Sequence, residues 1–322
     1  MYVLIINLKI MKQWYKFAEG KHWKNIVAKT YSLDIKTLNI QGNEINLYGN
    51  GSLFSNSPYI TDGGVFKFEK PLSKDDFKDI NKPILIKTRD KINISENFNH
   101  ILIKDYFTYL LDLSGGEDFV WNKKVKSKTR NQVRKGEKLN YTVKTGKTEL
   151  LDDFYKVIST AWRDLGTPTH SKDFYRNIVE GFTEDSLYKA EFIIMYLDHK
   201  PVSAACLIYD DHAIHHPYAA TLKEYNKYSL NNALYWNIIK FAIGKKIPFF
   251  DLGRSREDQG TAIYKISWGA EPVQLYYYYF NKTHHKNDED GKLIHFLINM
   301  WKKLPLALAN FMGPKLIYKV LK

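Results

Sequence analysis

The stretch Asp251–Gly269, with the sequence DLGRSREDQGTAIYKISWG, joins the pattern of a buried strand to that of a ligand site. The apolar residues 247–250 lead into it and predict a buried strand that ends at Gly253. Arg254 and Ser255 would then lie at the carboxyl end of this strand, where α/β sheets usually hold ligands. The stretch therefore predicts a polar site at the edge of a sheet.

Further along the same stretch, Lys265 lies between two aromatic residues, Tyr264 and Trp268. An arginine offers a planar fork suited to phosphate or carboxylate, and a lysine offers a mobile point charge. This combination indicates a binding site. A purely structural explanation stays open, because Asp251 could pair with Arg254 and Lys265 could be a solvated surface residue.

The charge of the whole chain favours an anionic partner. The chain has 322 residues, enough for about two domains of ordinary size. Lys and Arg number 48 against 35 Asp and Glu, which gives a net charge of +13, and 44% of the residues are hydrophobic. The hydrophobic content is sufficient for real cores, and the positive excess suits nucleic acid, a nucleotide or an anionic membrane surface.

Cysteine content and hydropathy bear on location. The single cysteine, Cys206, cannot form an intrachain disulfide and fits a small buried apolar position, so we expect a reducing compartment. No apolar run approaches the roughly 18 residues needed to span a bilayer. Met1–Ile10 lacks the features of a signal peptide, and Met11 is an alternative start. We expect a cytoplasmic protein without a stable protein partner; peripheral contact with the anionic inner face of the membrane stays open.

Residues 121–138 predict a strongly basic helix. Eight Lys or Arg residues occupy this segment against the single acid Glu137. A stripe of less polar residues recurs every four positions and consists of Trp121, Val125, Thr129 and Val133. Like charges three or four apart cost helix stability unless an anion offsets them, so we favour sequence-independent phosphate contact over a merely solvated face. The residues expected to bind phosphate of a polyanion such as tRNA are Lys128, Arg130, Arg134 and Lys135.

Periodicity and turn residues predict an α+β fold (α/β layered) in which helices cover a sheet. The predicted helices span 11–31, 152–163, 172–182 and 230–243, and Ser171 is the expected N-cap of the third. The predicted strands span 37–40, 45–48, 83–88, 101–104, 191–197, 202–209, 213–220, 249–253 and 273–280. Residues 254–272 are predicted as loop and 284–291 as a polar surface loop. The basic amphipathic tail 293–322 is expected to break at Pro305 and Pro314.

Over nearly its full length the chain resembles the FemABX-like branch of the GNAT acyltransferase superfamily. The segments that support the resemblance are 57–58, 62–64, 128–135, 164–170, 251–255, 264–272 and 301–321. The resemblance implies two GNAT-like domains, each a mostly antiparallel mixed sheet flanked by helices, plus a C-terminal helical tail. We expect the first domain at 1–145 with the basic helix, the second at 146–282 with the active site, and the tail at 283–322, packed back on the first domain.

The activity that this resemblance implies is transfer of an acyl or aminoacyl group to an amine. Better-known members extend the peptide of a peptidoglycan precursor from aminoacyl-tRNA, whereas the loop 166–170 looks more like members associated with envelope polysaccharide. Lys265 is the expected catalytic cation for the oxyanion or the leaving end of the donor, and His170 is a candidate general base or a packing residue. Arg254 and Ser255 would bind phosphate or carboxylate. The other expected substrate-binding residues are Thr167, Tyr218, Tyr264 and Trp268.

The sequence also bears on metals and cofactors. His215 and His216 are adjacent on a predicted strand and should face opposite sides, and His284-His285 has no partner at ligand spacing, so we expect no catalytic metal. CoA-dependent GNAT enzymes cradle pyrophosphate in a Gly-rich turn before a helix, whereas residues 225–232 contain no glycine. We therefore expect no bound cofactor and favour an aminoacyl-tRNA donor. Two alternatives stay open: acyl-CoA-dependent transfer to an amino-sugar or nucleotide-sugar, and a non-catalytic nucleic-acid or membrane-surface binder.

Overall fold

The computed structural model describes residues 17, 18, 20–182, 186–281 and 292–319. The α-helices of this part of the chain are α1 (Lys21–Thr30), α2 (Gly116–Phe119), α3 (Ser127–Glu137), α4 (Leu151–Leu165), α5 (Lys172–Gly181), α6 (Leu230–Gly244), α7 (Gly260–Ser267), α8 (Lys292–Trp301) and α9 (Leu306–Ile317). Its strands are β1 (Asp34–Ile40), β2 (Asn43–Gly49), β3 (Phe54–Ser55), β4 (Ile84–Thr88), β5 (His100–Ile103), β6 (Tyr106–Asp112), β7 (Thr142–Gly146), β8 (Lys189–Leu197), β9 (Lys200–Tyr209), β10 (Ala213–Thr221), β11 (Phe249–Arg256), β12 (Glu271–Gln274) and β13 (Tyr276–Phe280). The predicted loop 284–291 and the alternative starts at Met1 and Met11 lie outside the described residues.

The first sheet has six strands in the order β1-β2-β3-β4-β13-β5. Only β3 and β4 are parallel neighbours, and the other pairs are antiparallel. The hairpin β1–β2 turns at Gln41 and Gly42, whose φ angles of 51° and 79° are those of the tight hairpin turn that Gly favours. The hairpin that the sequence predicts here is confirmed.

The second sheet has seven strands in the order β12-β6-β11-β10-β9-β8-β7, and only β10 and β11 are parallel. Helices cover both of its faces. Successive residues of β8 enter opposite cores: Phe192 and Ile194 pack in the core that contains α1, α4 and α5, and Ile193 and Met195 pack in the core that contains α6. This layering confirms the α+β prediction of mixed sheets flanked by helices.

The loop between α4 and α5 is fixed at both ends. Gly166 ends α4 with a φ of 86°, a left-handed conformation that favours glycine. Ser171 caps α5, as predicted, by accepting a hydrogen bond from the backbone N–H of Phe174. The residues between these two points, including Thr167 and His170, are therefore held against the second sheet's helical layer.

Several predicted elements differ from those observed. Residues 254–272 are not a loop, because α7 occupies Gly260–Ser267. The single strand expected at 273–280 is two strands in different sheets, β12 in the second and β13 in the first. The basic helix is interrupted at Val125, whose backbone is extended, between a π-helical turn at Val120–Lys124 and α3. In the tail, Pro305 precedes α9 as expected, but Pro314 lies inside it without ending the helix.

The two sheets exchange strands across the expected domain limits. The strand β6 comes before residue 145 but lies in the second sheet, and β13 comes late in the chain but lies in the first. Helix α1 packs on α5, and α3 packs on α6. The domain limits at residues 145 and 282 stay predictions. The sheets do not follow them, because each sheet contains a strand from the other side of residue 145.

The tail helices contact residues of both halves of the chain. Both α8 and α9 pack against α4. The Arg163 guanidinium donates to the Leu304 carbonyl at 2.9 Å, and the Tyr59 hydroxyl donates to the Tyr318 carbonyl at 3.2 Å. The tail thus closes over the loop that follows α4, next to residues near Tyr59.

Candidate active site

The site lies where the two parallel strands separate. β10 and β11 pair only from Ala213–Phe249 to His215–Asp251. Beyond that point β10 follows β9 and β11 follows β6, and a register shift interrupts each of these outer pairings. Gly253 lies in the irregular part of β11 with a φ of 77°, which favours glycine. The separation leaves a gap at the carboxyl ends of the two strands.

A cavity of about 750 Å³ fills this gap. Seven of the eight predicted catalytic and substrate-binding residues line it: Thr167, His170, Tyr218, Arg254, Ser255, Tyr264 and Lys265. The eighth, Trp268, is fully buried and stacks on Tyr235, with ring centroids 5.8 Å apart. Trp268 therefore supports the wall from behind, and its predicted contact with substrate is not supported by its position.

Lys265 projects from α7 and bonds to the irregular part of β11. Its Nζ donates to the carbonyls of Gly253 at 2.9 Å and Arg254 at 2.8 Å, and to the Ser255 hydroxyl at 2.9 Å. Burial lowers the pKa of Lys265 to about 8, against the opposing effect of Asp251. The three N–H groups of the ammonium are thus engaged, so its charge can act on a ligand through space and through the Ser255 hydroxyl. A solvated position for Lys265 is excluded.

Arg254 stands at the edge of the cavity between two tyrosine rings. Its guanidinium carbon lies 4.6 Å from the ring centre of Tyr106 and 5.8 Å from that of Tyr277. One guanidinium nitrogen donates to the Tyr277 hydroxyl at 3.2 Å. The rings hold the planar group in place while its charge stays exposed, which suits binding of phosphate or carboxylate.

His170 lies in an aromatic wall. Its ring stacks on Phe174, with centroids 4.1 Å apart, and its Nδ1 is 2.5 Å from the Tyr31 hydroxyl. Burial lowers the pKa of His170 to about 3. A base this weak would accept a proton from an amine poorly, so the geometry favours packing and hydrogen bonding over general-base catalysis. The wall also includes Tyr59 and Trp162, which were not predicted.

His215 and His216 both line the cavity, with ring centroids only 5.9 Å apart. The two rings have different neighbours, since His216 packs on Tyr235 and Phe250 with ring centroids 4.8 Å and 5.0 Å apart, and the expectation that the two side chains face opposite sides stays a prediction. Pro217 lies within the register shift that follows His215, since a proline inside a strand lacks the ladder N–H and favours a bulge. The Nδ1 of His215 lies 3.0 Å from the Asp251 carbonyl.

Asp251 belongs to a buried ion pair beneath the site. Its carboxylate accepts hydrogen bonds from Arg89 at 2.5 Å, Thr108 at 2.5 Å and the Gly253 N–H at 2.8 Å. Arg89 also bonds Asp62, with Nε to Oδ1 at 3.0 Å. Burial would raise the pKa of Asp251, but the charge of Arg89 outweighs this and keeps it below its usual value. Asp251 therefore pairs with Arg89, and the alternative pairing with Arg254 is not formed.

The cavity is positively charged. Lys265 and Arg254 line it, and no Asp or Glu is among its lining residues within the described ranges. Those ranges also contain no group of three or more His, Cys, Asp or Glu side chains that could hold a metal ion. The arrangement suits an anionic or neutral ligand and the stabilisation of negative charge during a reaction.

The predicted phosphate-binding residues of α3 differ in exposure. Lys128, Arg134 and Lys135 are exposed. Arg130 is half-buried, and its guanidinium donates to the carbonyls of Trp121, at 3.2 Å, and Val125. Arg130 therefore also holds the break between the π-helical turn and α3, a structural task that the sequence did not reveal.

The basic helix α3 lies next to the cavity. The Ser229 hydroxyl, at the start of α6, bonds to the side chain of Gln132 in α3. In the first turn of α6, Asn231 lines the cavity and donates to the Tyr264 hydroxyl at 3.1 Å. The helix α3, which carries the exposed cations, thus lies on the α6 side of the site.

The described helices include none that is both long and apolar enough to cross a membrane. A family model for the acetyltransferase (GNAT) domain matches residues 123–265. No match was found among curated proteins. This matched segment begins at the basic helix and ends at Lys265, so it contains most of the cavity wall.

Two solved structures are similar in fold. The crystal structure of FemX matches with a TM-score of 0.57 and 13% identity, over 80% of this chain and 91% of that chain. L-PGS from Bacillus licheniformis matches with a TM-score of 0.58 and 12% identity, over 84% of this chain and 90% of that chain. These findings agree with the resemblance inferred from the sequence: residues 123–265 match the acetyltransferase (GNAT) domain, and the chain shares its fold with FemX and L-PGS.

Proposed function

We propose that this acyltransferase transfers an aminoacyl group from aminoacyl-tRNA to an amine on a peptidoglycan or polysaccharide precursor of the cell envelope. The observation on which the proposal rests is the position of α3 beside the cavity. A polyanionic donor could lie along the exposed Lys128, Arg134 and Lys135 while its aminoacyl end reaches the gap between β10 and β11. A similar fold in FemX supports the acyltransferase class but not this choice of donor.

The start of α6 supports a donor other than CoA. CoA pyrophosphate would be expected at the N-terminus of this helix, where backbone N–H groups face the ligand. Here α3 packs against that end, and a Cβ added to Gly136 would lie 3.0 Å from the Ala233 Cβ and 3.3 Å from the Ser229 carbonyl oxygen. Ser229 is a non-glycine residue with a φ of 63°, where a Gly-rich turn would be expected. Close approach of a pyrophosphate group is thereby hindered.

In the proposed reaction, Lys265 stabilises the negative charge that develops on the intermediate. The acceptor amine attacks the ester carbonyl carbon of the donor, a C–N bond forms, and the C–O bond to the tRNA ribose breaks. The proton lost by the amine passes to the leaving ribose oxygen. Negative charge on the tetrahedral intermediate would be stabilised by the charge of the Lys265 ammonium, since no carboxylate lines the cavity in the described ranges. The Ser255 hydroxyl, which donates to the Arg254 carbonyl at 2.9 Å, would add a hydrogen bond by rotating towards the intermediate.

Binding of tRNA as a function of salt tests the donor. We expect binding that weakens steeply with salt, because phosphate contacts release counterions. The double variant Lys128→Ala/Lys135→Ala should lower the slope of log affinity against log salt by about two, one for each lost phosphate contact. The matched control is Lys78→Ala/Lys82→Ala, two exposed lysines outside α3. Equal slopes in the two double variants, or no affinity for tRNA, would refute the proposed donor.

A second candidate function is acyl-CoA-dependent transfer to an amino-sugar or nucleotide-sugar. It is favoured by the match of residues 123–265 to an acetyltransferase domain. Calorimetry with acetyl-CoA distinguishes the two candidates. Saturable binding that is lost in Lys265→Met but kept in Lys128→Ala/Lys135→Ala would favour acyl-CoA over tRNA.

A further inference from the structure

The outer face of the tail helices is unusually apolar for a surface. Large hydrophobic side chains on this tail face are exposed by 36% to 65%. The tail face consists of Phe296, Leu297 and Met300 of α8 and Leu308, Phe311, Met312 and Leu316 of α9. Scattered single apolar residues are normal on a surface, but seven large ones on two successive helices indicate a surface that another apolar phase covers.

The inner face of the same helices is already occupied. Trp301, Ala309 and Gly313 are buried, and a Cβ on Gly313 would lie 2.8 Å from the Thr169 carbonyl oxygen. The helix α9 is therefore apolar on two sides, of which the protein itself covers one. A helix that is hydrophobic all round is normally buried on all sides, so the exposed side of α9 also requires a cover.

Charge distribution around the tail face favours an anionic surface as its partner. The segment 292–319 contains five lysines and no Asp or Glu. Lys302 and Lys303 are exposed between the two helices, and Lys315 and Lys319 are exposed at the end of α9. Apolar side chains flanked by lysines without acids are typical of helices that lie in the interface of an anionic bilayer. The α9 helix has 12 residues, about 18 Å, and is too short to cross the bilayer.

We propose that the tail face docks on the surface of an anionic lipid bilayer, with α8 and α9 lying in the headgroup region. Leu316 of the tail face is followed by Ile317, which lines the cavity. The adjacent Tyr318 carbonyl accepts a hydrogen bond from Tyr59, another lining residue. Docking would therefore bring this side of the cavity close to the headgroups. This consequence rests on the proposed function: an acceptor amine attached to a membrane lipid could reach the cavity while the lipid stays in the bilayer.

Vesicle co-sedimentation of the full chain tests the docking. We expect binding to vesicles of phosphatidylcholine with phosphatidylglycerol, much weaker binding to phosphatidylcholine alone, and a decrease with salt. The double variant Phe311→Ser/Leu316→Ser should lower the partition coefficient about tenfold or more, since two apolar side chains no longer insert. Leu187→Ser is the control, because Leu187 is 84% exposed and lies outside the tail.

A charge variant gives an independent measurement. Lys302→Glu/Lys303→Glu should abolish the preference for phosphatidylglycerol, whereas Lys78→Glu/Lys82→Glu should not. Binding without a lipid preference, or equal binding by all variants, would overturn the proposal. If vesicles are not bound and sedimentation velocity instead shows a dimer that Phe311→Ser/Leu316→Ser disrupts, a second copy of the chain covers the face. If deletion of residues 1–10 is what first permits vesicle binding, the chain's own apolar N-terminal segment covers it, and the proposal also fails.

The outcome is separable from that of the proposed function. Vesicle binding requires no donor, and transfer to a water-soluble acceptor requires no bilayer. The tail-face variants should therefore retain transfer to a soluble acceptor, while Lys265→Met should retain vesicle binding.

Discussion

The contacts of Lys265 predict that substitution of this single residue lowers the rate of catalysis. Its ammonium is buried and engaged by two carbonyls and the Ser255 hydroxyl, at a point where negative charge would develop. We expect Lys265→Met to lower kcat about 100- to 1000-fold, as loss of one oxyanion-stabilising group does in other enzymes. Ser255→Ala should cost less, because the charge remains. Lys78→Met, at an exposed lysine outside the cavity, should leave kcat unchanged.

The pH profile shows in which form Lys265 acts. Its pKa is lowered to about 8, so the cation predominates below this pH and the neutral amine above it. If the cation stabilises the oxyanion, kcat falls as pH rises through about 8, and this fall is missing in Lys265→Met. A rise of kcat through the same range that depends on Lys265 would instead make the neutral amine a general base.

The sequence predicted the charged and polar part of the site better than its shape. Arg254, Ser255 and Lys265 could be found because a strand, a glycine and two aromatic residues give them a recognisable setting. That His215 and His216 both line the cavity could not be predicted, because it depends on the separation of β10 from β11, which no local pattern shows. The pairing of Asp251 with Arg89 joins residues 162 positions apart, and no local pattern reveals such a partner.

Among the elements, α9 comes close to the loop after α4 at Gly313. A larger residue at this position should therefore destabilise the protein. A Cβ at this position would meet the backbone of Thr169, with 2.8 Å to its oxygen and 3.1 Å to its nitrogen. Alanine favours a helix over glycine by about 1 kcal/mol, but a backbone clash typically costs about 1–3 kcal/mol. We expect Gly313→Ala to lower the free energy of unfolding and to increase proteolysis of the tail.

Gly244→Ala is the matched control for this prediction. Gly244 lies at the end of α6, and an added Cβ there has no neighbouring atom within 4 Å. In a urea titration of both variants, Gly244→Ala should be neutral or slightly stabilising. Equal effects of the two substitutions would mean that α9 does not pack closely on the loop.

Elements with strong local signals were predicted and those set by distant contacts were not. The hairpin β1–β2 and the capped helix α5 have their turn and cap residues in the sequence. The helix α7, where the sequence predicts a loop, has a weak local signal, because polar residues 256–259 precede it and only eight residues form it. The sequence predicts one strand at 273–280, whereas its first half pairs with β6 and its second half with β4 and β5.

At the scale of the whole molecule, the two sheets are connected by charge as well as by chain. Arg89 follows β4 of the first sheet and Asp251 lies in β11 of the second, and both side chains are almost fully buried. Asp62, near the cavity residues Ile60 and Thr61, bonds the same guanidinium. Strands that leave one sheet for the other cannot be predicted from segment-by-segment periodicity, which explains why the expected domain limits do not follow the sheets.

This connection gives a prediction for stability. Arg89→Met would leave Asp62 and Asp251 buried without their shared cation, and removal of one partner from a buried ion pair typically costs about 3–5 kcal/mol. We expect a decrease of this size in the free energy of unfolding near neutral pH, measured by urea titration. Arg176→Met is the control: its pair with Asp173 is exposed, so the cost should be below about 1 kcal/mol.

The pH dependence identifies the cause of the loss. In the native protein Arg89 keeps the pKa of Asp251 below its usual value, which contributes stability that is lost as pH falls. Burial already raises the pKa of Asp62 in the native protein, although Arg89 opposes this. Without Arg89, burial would raise the pKa of both carboxyls further, so the variant becomes relatively more stable as pH falls and the carboxyls take up protons. The difference between the two proteins should therefore shrink on acidification from neutral pH. A difference that stays constant with pH would show that lost packing, and not uncompensated charge, is what Arg89 supplies between the sheets.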